Sequence, residues 1–139
     1  MTQTVNDVMT HKPVALQAGT TLDTAARAMR DHGVGNVIVL NDLEIRGIVT
    51  DRDITIRGVA ESLDPRSAVL AQICSADVVT VTPEDTVDHA VDVMRAHSVR
   101  RLPVVREGRP VGIVSLGDLA VEKDPESVLG QISASEANR

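Results

Sequence analysis

Aromatic residues are entirely absent from this sequence, which carries no phenylalanine, tyrosine or tryptophan, and its net charge is −6. Proteins that hold single-stranded nucleic acid commonly stack the bases on aromatic rings, and proteins that bind a duplex present a basic face. The chain supplies neither feature. The composition therefore argues against nucleic acid as a partner.

Long hydrophobic runs are also missing. Residues 1–12 contain no apolar stretch of the length that a signal peptide needs, and nowhere do about eighteen apolar residues follow one another, the length that crosses a bilayer. We therefore expect no signal peptide, no membrane span and a cytoplasmic location.

Cysteine is scarce. Cys74 is the single cysteine, so the chain cannot form an internal disulfide, and its apolar neighbours are typical of a small buried side chain. Together with His11 and His89 it shows no spacing of metal ligands. The sequence also has no Ser-His-Asp set and no glycine-rich nucleotide loop. We predict no metal site, no cofactor, no catalytic residues and no enzymatic activity.

What the sequence does contain is a duplication. An offset of 65 residues pairs Met29 with Met94 and holds without a gap over most of both copies. The paired identities include Val14/Val79, Thr21/Thr86, Asp23/Asp88, Ala25/Ala90, Arg30/Arg95, His32/His97, Val34/Val99, Val39/Val104 and Asp53/Asp118. The 139 residues are enough for one domain built from two similar halves.

Each copy predicts the same elements. Positions 22, 25, 26 and 29 are apolar at helical spacing, as are 87, 90, 91 and 94, so each copy holds an amphipathic helix with Thr21 or Thr86 as N-cap. A strand precedes each helix (14–16; 78–81), and two strands follow it (37–40 and 45–49; 102–105 and 111–114). Shorter helices are predicted at 52–57 and 116–121, and lead-in helices at 5–9 and 70–74. The order β-α-β-β-α defines an α/β (α+β) fold class.

These elements predict one domain over residues 1–123. The first copy covers about 4–59, a linker covers 60–68, and the second copy covers about 69–123. The Asp64–Pro65 step supports the linker, because the residue before a proline disfavours continued helix. Residues 124–139 are predicted to form a short helix and a frayed polar end.

Both copies leave the third strand through Gly-Ile-Val, a hydroxyl residue, two further residues and an aspartate, at 47–53 and 112–118. Thr50 with Asp53, and Ser115 with Asp118, have the spacing of a capping box that satisfies free backbone N–H groups. A second interpretation is a nucleotide site, in which the aspartates accept hydrogen bonds from ribose hydroxyls while Thr50 and Ser115 hold phosphate oxygens. The residues alone leave both interpretations open.

Two adjacent arginines distinguish the copies. Arg100 and Arg101 are suited either to phosphate or to a solvated, salt-bridged face. The offset places Gly35 and Asn36 opposite them, so the aspartate is duplicated and the positive charge is not. We predict that the second copy governs the preference for phosphate number.

Together these segments resemble the CBS-motif proteins. The resemblance rests on the two Gly-Ile-Val-Thr/Ser-x-x-Asp segments, the helix start at 21–26, residues 99–105 and the Val8–Met9 step, and it spans about residues 5–121. Residues 51–58 and the linker at 63–65 are similar to stand-alone actinobacterial members of the hypoxic-response type. The resemblance implies two tandem CBS motifs in a pseudo-two-fold pair, a Bateman module that binds an adenosine nucleotide between its halves.

The resemblance also implies site residues and partners. The adenine is expected to lie against Val14 and Val79, and the ribose to bind Asp53 and Asp118. The phosphate is expected to bind Thr50, Ser115, Arg100 and Arg101. The expected ligand is AMP, ADP, ATP or S-adenosylmethionine, bound by a homodimeric regulatory sensor that signals to an unidentified protein partner. The alternative is a ligand-free structural or protein-interaction scaffold of the stress response, and an adenine-nucleotide hydrolase ranks third.

Overall fold

The computed structural model of the protein describes residues 3–75, 78–123 and 132. The chain divides into two compact units: unit 1 comprises Met1–Lys12 and Val79–Arg139, and unit 2 comprises Pro13–Val78. The elements in chain order are α1 (Val5–Val8), β1 (Thr10–His11), β2 (Ala15–Gln17), α2 (Leu22–His32), β3 (Asn36–Asn41), β4 (Glu44–Thr50), α3 (Asp51–Asp53), a π-helix (Ile54–Val59), a 3₁₀ turn (Leu70–Gln72), α4 (Val87–His97), β5 (Arg101–Arg106), β6 (Arg109–Ser115) and α5 (Leu116–Lys123). No described helix is long and apolar enough to cross a membrane.

Unit 2 is built on a three-stranded sheet in the order β2-β3-β4. β2 pairs with β3 in parallel, and β3 pairs with β4 antiparallel, with Asn36 opposite Thr50. The apolar stripe of α2 packs on this sheet, because Leu22, Ala25 and Met29 are buried as their helical spacing predicts. The helix ends at Gly33, whose φ of 64° is the left-handed conformation of a C-cap.

Unit 1 repeats this arrangement with β5, β6 and α4. Its sheet has the order β1-β6-β5, and β5 pairs with β6 so that Arg101 lies opposite Ser115. The buried face of α4 consists of Val87, Ala90 and Met94, and α5 adds the buried Leu119 to the same core.

The compact units do not follow the order of the copies along the chain. The α1 segment packs in unit 1, where the Val5 N–H donates to the Asp85 carbonyl at 2.8 Å. The equivalent Leu70 lies in unit 2, where its N–H donates to the Thr20 carbonyl at 2.9 Å. Val5 and Leu70 are both fully buried. Each copy's lead-in segment therefore completes the core around the other copy's strands.

Two glycines make these contacts possible. A Cβ on Gly47 would lie 2.7 Å from both the Cys74 Sγ and the Ser75 carbonyl oxygen, and a Cβ on Gly112 would lie 2.5 Å from the Met9 Sδ and 2.9 Å from the Thr10 carbonyl oxygen. The glycine of each Gly-Ile-Val segment is thus required by the close approach of a lead-in segment to β4 in unit 2 and to β6 in unit 1.

Several predicted elements differ in the structure. The strand predicted at 14–16 lies at Ala15–Gln17, and residues 78–81 form only an isolated bridge from Val81 to Val104 instead of a strand. The lead-in helix predicted at 70–74 is a short 3₁₀ turn. The helix predicted at 52–57 is a short α-helical start followed by a π-helix, and β1 was not predicted. The prediction for 124–139 falls outside the described residues apart from Ile132.

Thr21 and Thr86 are the N-cap residues of α2 and α4 as predicted, but only the Thr86 side chain caps the backbone. The Thr21 hydroxyl donates to Asp23 Oδ1 at 2.6 Å and does not cap the backbone. The first N–H groups of α2 donate instead to carbonyls of the linker, Leu22 to Ala68 and Asp23 to Pro65, each at 3.0 Å. A non-local segment has replaced the local cap.

A glycine substitution tests the close approach. We expect Gly47→Ala to lower the free energy of unfolding by about 1–3 kcal/mol, because the new methyl group meets a backbone carbonyl. Gly19→Ala is the matched control, since a Cβ there meets nothing within 4 Å, and it should be neutral or slightly stabilising. Urea unfolding followed by far-UV circular dichroism measures both, and equal effects would contradict the packing argument.

Candidate functional site

The end of β4 forms a closed hydrogen-bonded ring between Thr50 and Asp53. The Thr50 N–H donates to Asp53 Oδ2 at 2.9 Å, and the Asp53 N–H donates to Thr50 Oγ1 at 3.1 Å. This is a capping box, and it fixes both side chains where the strand turns into α3.

The end of β6 repeats the ring with the same distances. The Ser115 N–H donates to Asp118 Oδ2 at 2.9 Å, and the Asp118 N–H donates to Ser115 Oγ at 3.1 Å. The capping interpretation of the sequence is therefore correct in both copies as a description of the local structure. The nucleotide interpretation stays a prediction, and the geometry of the ring decides whether the two are compatible.

Each ring leaves hydrogen-bonding capacity unused. The Thr50 and Ser115 hydroxyls accept a hydrogen bond from the backbone and can still donate their own proton. Asp118 Oδ1 has no hydrogen-bond or ion-pair partner among the described residues, and Asp53 Oδ1 lies 3.9 Å from the Arg57 Nε. The capping box and a diol contact through Oδ1 can therefore coexist.

The remaining residues predicted for unit 2 lie at the same end of its sheet. The Val14 carbonyl accepts a hydrogen bond from the Ile38 N–H at 2.8 Å, and Asn36 lies opposite Thr50. Val14 and Thr50 therefore flank the first residues of β3 on its two sides. Val14 is partly buried against the core, which leaves part of it accessible to a flat apolar group.

Unit 1 brings its predicted residues together in the same way. Arg101 faces Ser115 across the β5–β6 ladder, and the Arg100 carbonyl accepts a hydrogen bond from the Leu116 N–H at 2.8 Å. Val79 packs partly buried against the core of this unit, two residues before the bridge at Val81. Directly opposed residues have Cβ atoms about 5 Å apart, so Arg101 lies within reach of a ligand bound at Ser115.

The structure also identifies residues that the sequence analysis missed. Arg46 lies in β4, and its Nε is buried without a hydrogen-bond partner in the described structure. Arg57 lies on the π-helix, and its Nη1 donates to the Ile73 carbonyl at 3.3 Å. Neither arginine belongs to a periodic pattern. Comparison of the two copies could have revealed them, because the equivalent positions of the second copy hold Val111 and Glu122, neither of which is positively charged.

Cys74 lies among these groups. Burial raises the pKa of its thiol and is the largest effect. The positive charge of Arg46 lowers that pKa, the Asp53 carboxylate raises it, and a hydrogen bond from Arg46 and the charge of Arg57 lower it further. The sequence analysis predicted a small buried side chain, whereas Cys74 is only partly buried. The raised pKa agrees with the expectation that the thiol is not activated. Among the described residues, no three or more His, Cys, Asp or Glu side chains are placed to hold a metal ion.

The fold and the paired rings define a class of protein, a tandem duplication of a small α/β unit with an equivalent hydroxyl–aspartate pair in each copy. The CBS domain model matches residues 5–58 and 70–124. The chain belongs to the CBS domain family and holds two copies of the domain.

Two curated proteins are similar over most of the chain. CBS domain-containing protein YhcV of Bacillus subtilis is 36% identical over 119 residues, 86% of this chain and 84% of that protein. Hypoxic response protein 1 of Mycobacterium tuberculosis is 36% identical over 118 residues, 84% of this chain and 82% of that protein. The resemblance to the stand-alone, hypoxic-response type is thereby confirmed.

Solved structures agree with the fold. The crystal structure of Hypoxic Response Protein I, which has two coordinated zinc ions, is 35% identical and gives a TM-score of 0.76 over 85% of this chain and 97% of its own. The CBS domain pair of protein MJ0100, in complex with 5′-methylthioadenosine and S-adenosylmethionine, is 23% identical and gives a TM-score of 0.75 over 86% of this chain and 94% of its own. The second likeness bears on the fold alone.

The pKa of Cys74 gives a test that needs no ligand. Because burial holds the pKa above its ordinary value, the thiolate forms at higher pH in the folded chain than in the unfolded chain. We expect the rate of alkylation by iodoacetamide to rise at a higher pH in buffer than in concentrated urea. The neutral thiol favours folding, so its contribution to stability is present below the unfolded pKa and is lost as the pH rises through the folded pKa. Coincident pH profiles in the two solvents would show that burial does not act on this group.

Proposed function

We propose that the protein is a regulatory module that binds an adenosine nucleotide and does not catalyse a reaction on it. In each unit, the aspartate binds the ribose hydroxyls, the Thr50 or Ser115 hydroxyl donates to a phosphate oxygen, and the backbone near Val14 or Val79 lies against the adenine. Arg100 and Arg101 add positive charge in unit 1.

One observation carries this proposal. Both copies hold an aspartate whose Oδ2 is fixed by a backbone N–H while Oδ1 makes no hydrogen bond within the described residues. A carboxylate that is fixed through one oxygen and can still accept a hydrogen bond through the other is preorganised for a hydroxyl group, although Asp53 Oδ1 also lies 3.9 Å from Arg57 Nε. Hydrogen bonds to charged groups contribute about 1.5–3 kcal/mol each, which is a large share of a micromolar affinity of about 8 kcal/mol.

The alternative function is a ligand-free structural or protein-interaction scaffold. The intact capping boxes favour it, because they give Asp53 and Asp118 a sufficient structural role. A thermal-shift series with AMP, ADP, ATP and S-adenosylmethionine separates the two. A ligand at about 100 times its Kd adds about 2.7 kcal/mol to the stability of the folded state, whereas a scaffold shows no shift with any of them.

Substitution of the two aspartates tests the ribose contact. We expect Asp53→Ala or Asp118→Ala to weaken nucleotide binding by about tenfold or more, because each removes a charged acceptor. Asp92→Ala in α4 is the control, since its side chain is 72% exposed and pairs only with Arg95 among the described residues. Asp118→Asn keeps an acceptor for the Ser115 N–H, so it separates binding from capping. Calorimetry that gave wild-type affinity for both alanine variants would reduce the aspartates to caps.

We further propose that the protein forms a homodimer through unit 1. Helices α4 and α5 surround a surface cavity of about 250 Å³. Its lining residues are Val91, Met94, Arg95, Val99, Leu116 and Leu119. Leu116 is 44% exposed at this cavity, and burying it against a second copy would remove apolar surface from water.

Light scattering tests this pairing. We expect the wild-type protein to have the mass of a dimer at micromolar concentration and Leu116→Glu to shift it to the monomer, because a carboxylate cannot be buried in an apolar contact without a large cost. Leu43→Glu is the matched control, because Leu43 is 66% exposed in unit 2 and the same substitution there should leave the mass unchanged. A wild-type monomer would contradict the proposal.

A further inference from the structure

Arg46 occupies an unusual position in β4. The register of the β3–β4 ladder pairs Val39 with Gly47 and Leu40 with Ile45, so Arg46 is the unpaired residue of a β-bulge. Bulges redirect side chains and are common next to functional sites. The Nε of Arg46 is buried and makes no hydrogen bond in the described structure. The Arg46 guanidinium hydrogen-bonds the Cys74 thiol, but its Nε is left buried without an acceptor, which is costly. An anion bound at this position would supply that acceptor.

Arg57 is a second cation in the same unit. Its Nε lies 3.9 Å from Asp53 Oδ1, and its Nη1 donates to the Ile73 carbonyl at 3.3 Å. A guanidinium group has five donor hydrogens, so these contacts leave others available. The side chain is 55% exposed and stands on a π-helix, a rare conformation that is frequent at functional sites.

Cys74 shows that these groups converge. Arg57 Nη1 donates to the carbonyl of Ile73, the residue before Cys74, and Arg57 Nε lies 3.9 Å from Asp53 Oδ1. The Arg46 guanidinium hydrogen-bonds the Cys74 thiol. That sulfur is also the atom that a Cβ on Gly47 would meet, which places it directly over the bulged strand. The two guanidinium groups therefore lie on the same side of unit 2 as the aspartate proposed to bind ribose.

We propose that Arg46 and Arg57 form a phosphate-binding subsite beside Asp53, which takes the phosphate of the nucleotide whose ribose Asp53 binds. Guanidinium groups bind phosphate oxygens through paired hydrogen bonds, and neither valine nor glutamate can replace them. Since Val111 and Glu122 occupy the equivalent positions of the second copy, this subsite is specific to unit 2. The inference rests on the proposed function, and it assigns phosphate selectivity to residues other than Arg100 and Arg101.

Calorimetry with adenosine, AMP and ADP at low salt tests the subsite. We expect Arg46→Gln and Arg57→Gln each to weaken AMP and ADP binding by about tenfold, and adenosine binding by less than about twofold, because only the phosphate loses its partner. Arg66→Gln makes the same charge change in unit 2 at a side chain that is 83% exposed, and it should bind all three ligands as the wild type does. Arg46→Lys serves as the conservative variant, and far-UV circular dichroism confirms that each variant is folded.

A second measurement uses inorganic pyrophosphate alone and the single cysteine as reporter. A bound anion cancels the positive field that helps to ionise Cys74, so pyrophosphate should slow iodoacetamide alkylation several-fold in the wild type and not in Arg46→Gln or Arg57→Gln. Protection by pyrophosphate with no binding of adenosine, AMP or ADP would support the subsite and remove the proposed nucleotide function. Equal losses of adenosine and AMP in the two variants, or wild-type alkylation that pyrophosphate leaves unchanged, would overturn the subsite while leaving nucleotide binding in place.

Discussion

In each unit the rest of the arrangement depends on a close contact between a lead-in segment and a strand glycine. A lead-in segment crosses β4 at Gly47 and β6 at Gly112 so closely that no side chain fits between the two backbones. This contact lets Val5 and Leu70 reach the cores, and in unit 1 it brings β1 into register with β6. It also places Cys74 over β4. A core without aromatic residues gains from such close approach, because small aliphatic side chains fill volume only when the backbones come near one another.

The same residues serve the fold and the candidate site. The Thr50–Asp53 and Ser115–Asp118 rings satisfy the backbone where a strand becomes a helix, and in doing so they hold each carboxylate in one orientation. A binding group that is already fixed loses little conformational entropy when a ligand arrives. Capping and binding are therefore two consequences of one geometry, and neither excludes the other.

Much of the fold was predictable from the sequence because its signals are local. The amphipathic stripes of α2 and α4, the paired apolar strands and the hydroxyl–aspartate spacing all lie within a few residues of one another, and the structure confirms them. The exchange of lead-in segments was not predictable, because the hydrogen bonds from Val5 to Asp85 and from Leu70 to Thr20 join distant parts of the chain. The π-helix was missed because its altered hydrogen bonding leaves no periodic signature over six residues. The repeat located the hydroxyl–aspartate pairs, whereas Arg46 and Arg57 could not be found as shared residues because the second copy holds Val111 and Glu122 at the equivalent positions.

Differences between the copies carry information only when packing does not already explain them. Gly35 stands where the second copy has Arg100, and a Cβ on Gly35 would lie 3.0 Å from the Asp51 Oδ2, whereas the position of Asp51 is taken by Leu116 in the second copy. In each copy these two positions are joined by one backbone hydrogen bond: the Asp51 N–H donates to the Gly35 carbonyl in unit 2, and the Leu116 N–H donates to the Arg100 carbonyl in unit 1. The small Gly35 makes room for the Asp51 side chain, so packing explains why both positions differ between the copies. The bulge is different, because it is present in both copies while its unpaired residue changes from arginine to valine. Because the bulge also forms in the copy that has valine, the bulge does not require the arginine. The packing of the sheet therefore does not explain the charge of Arg46.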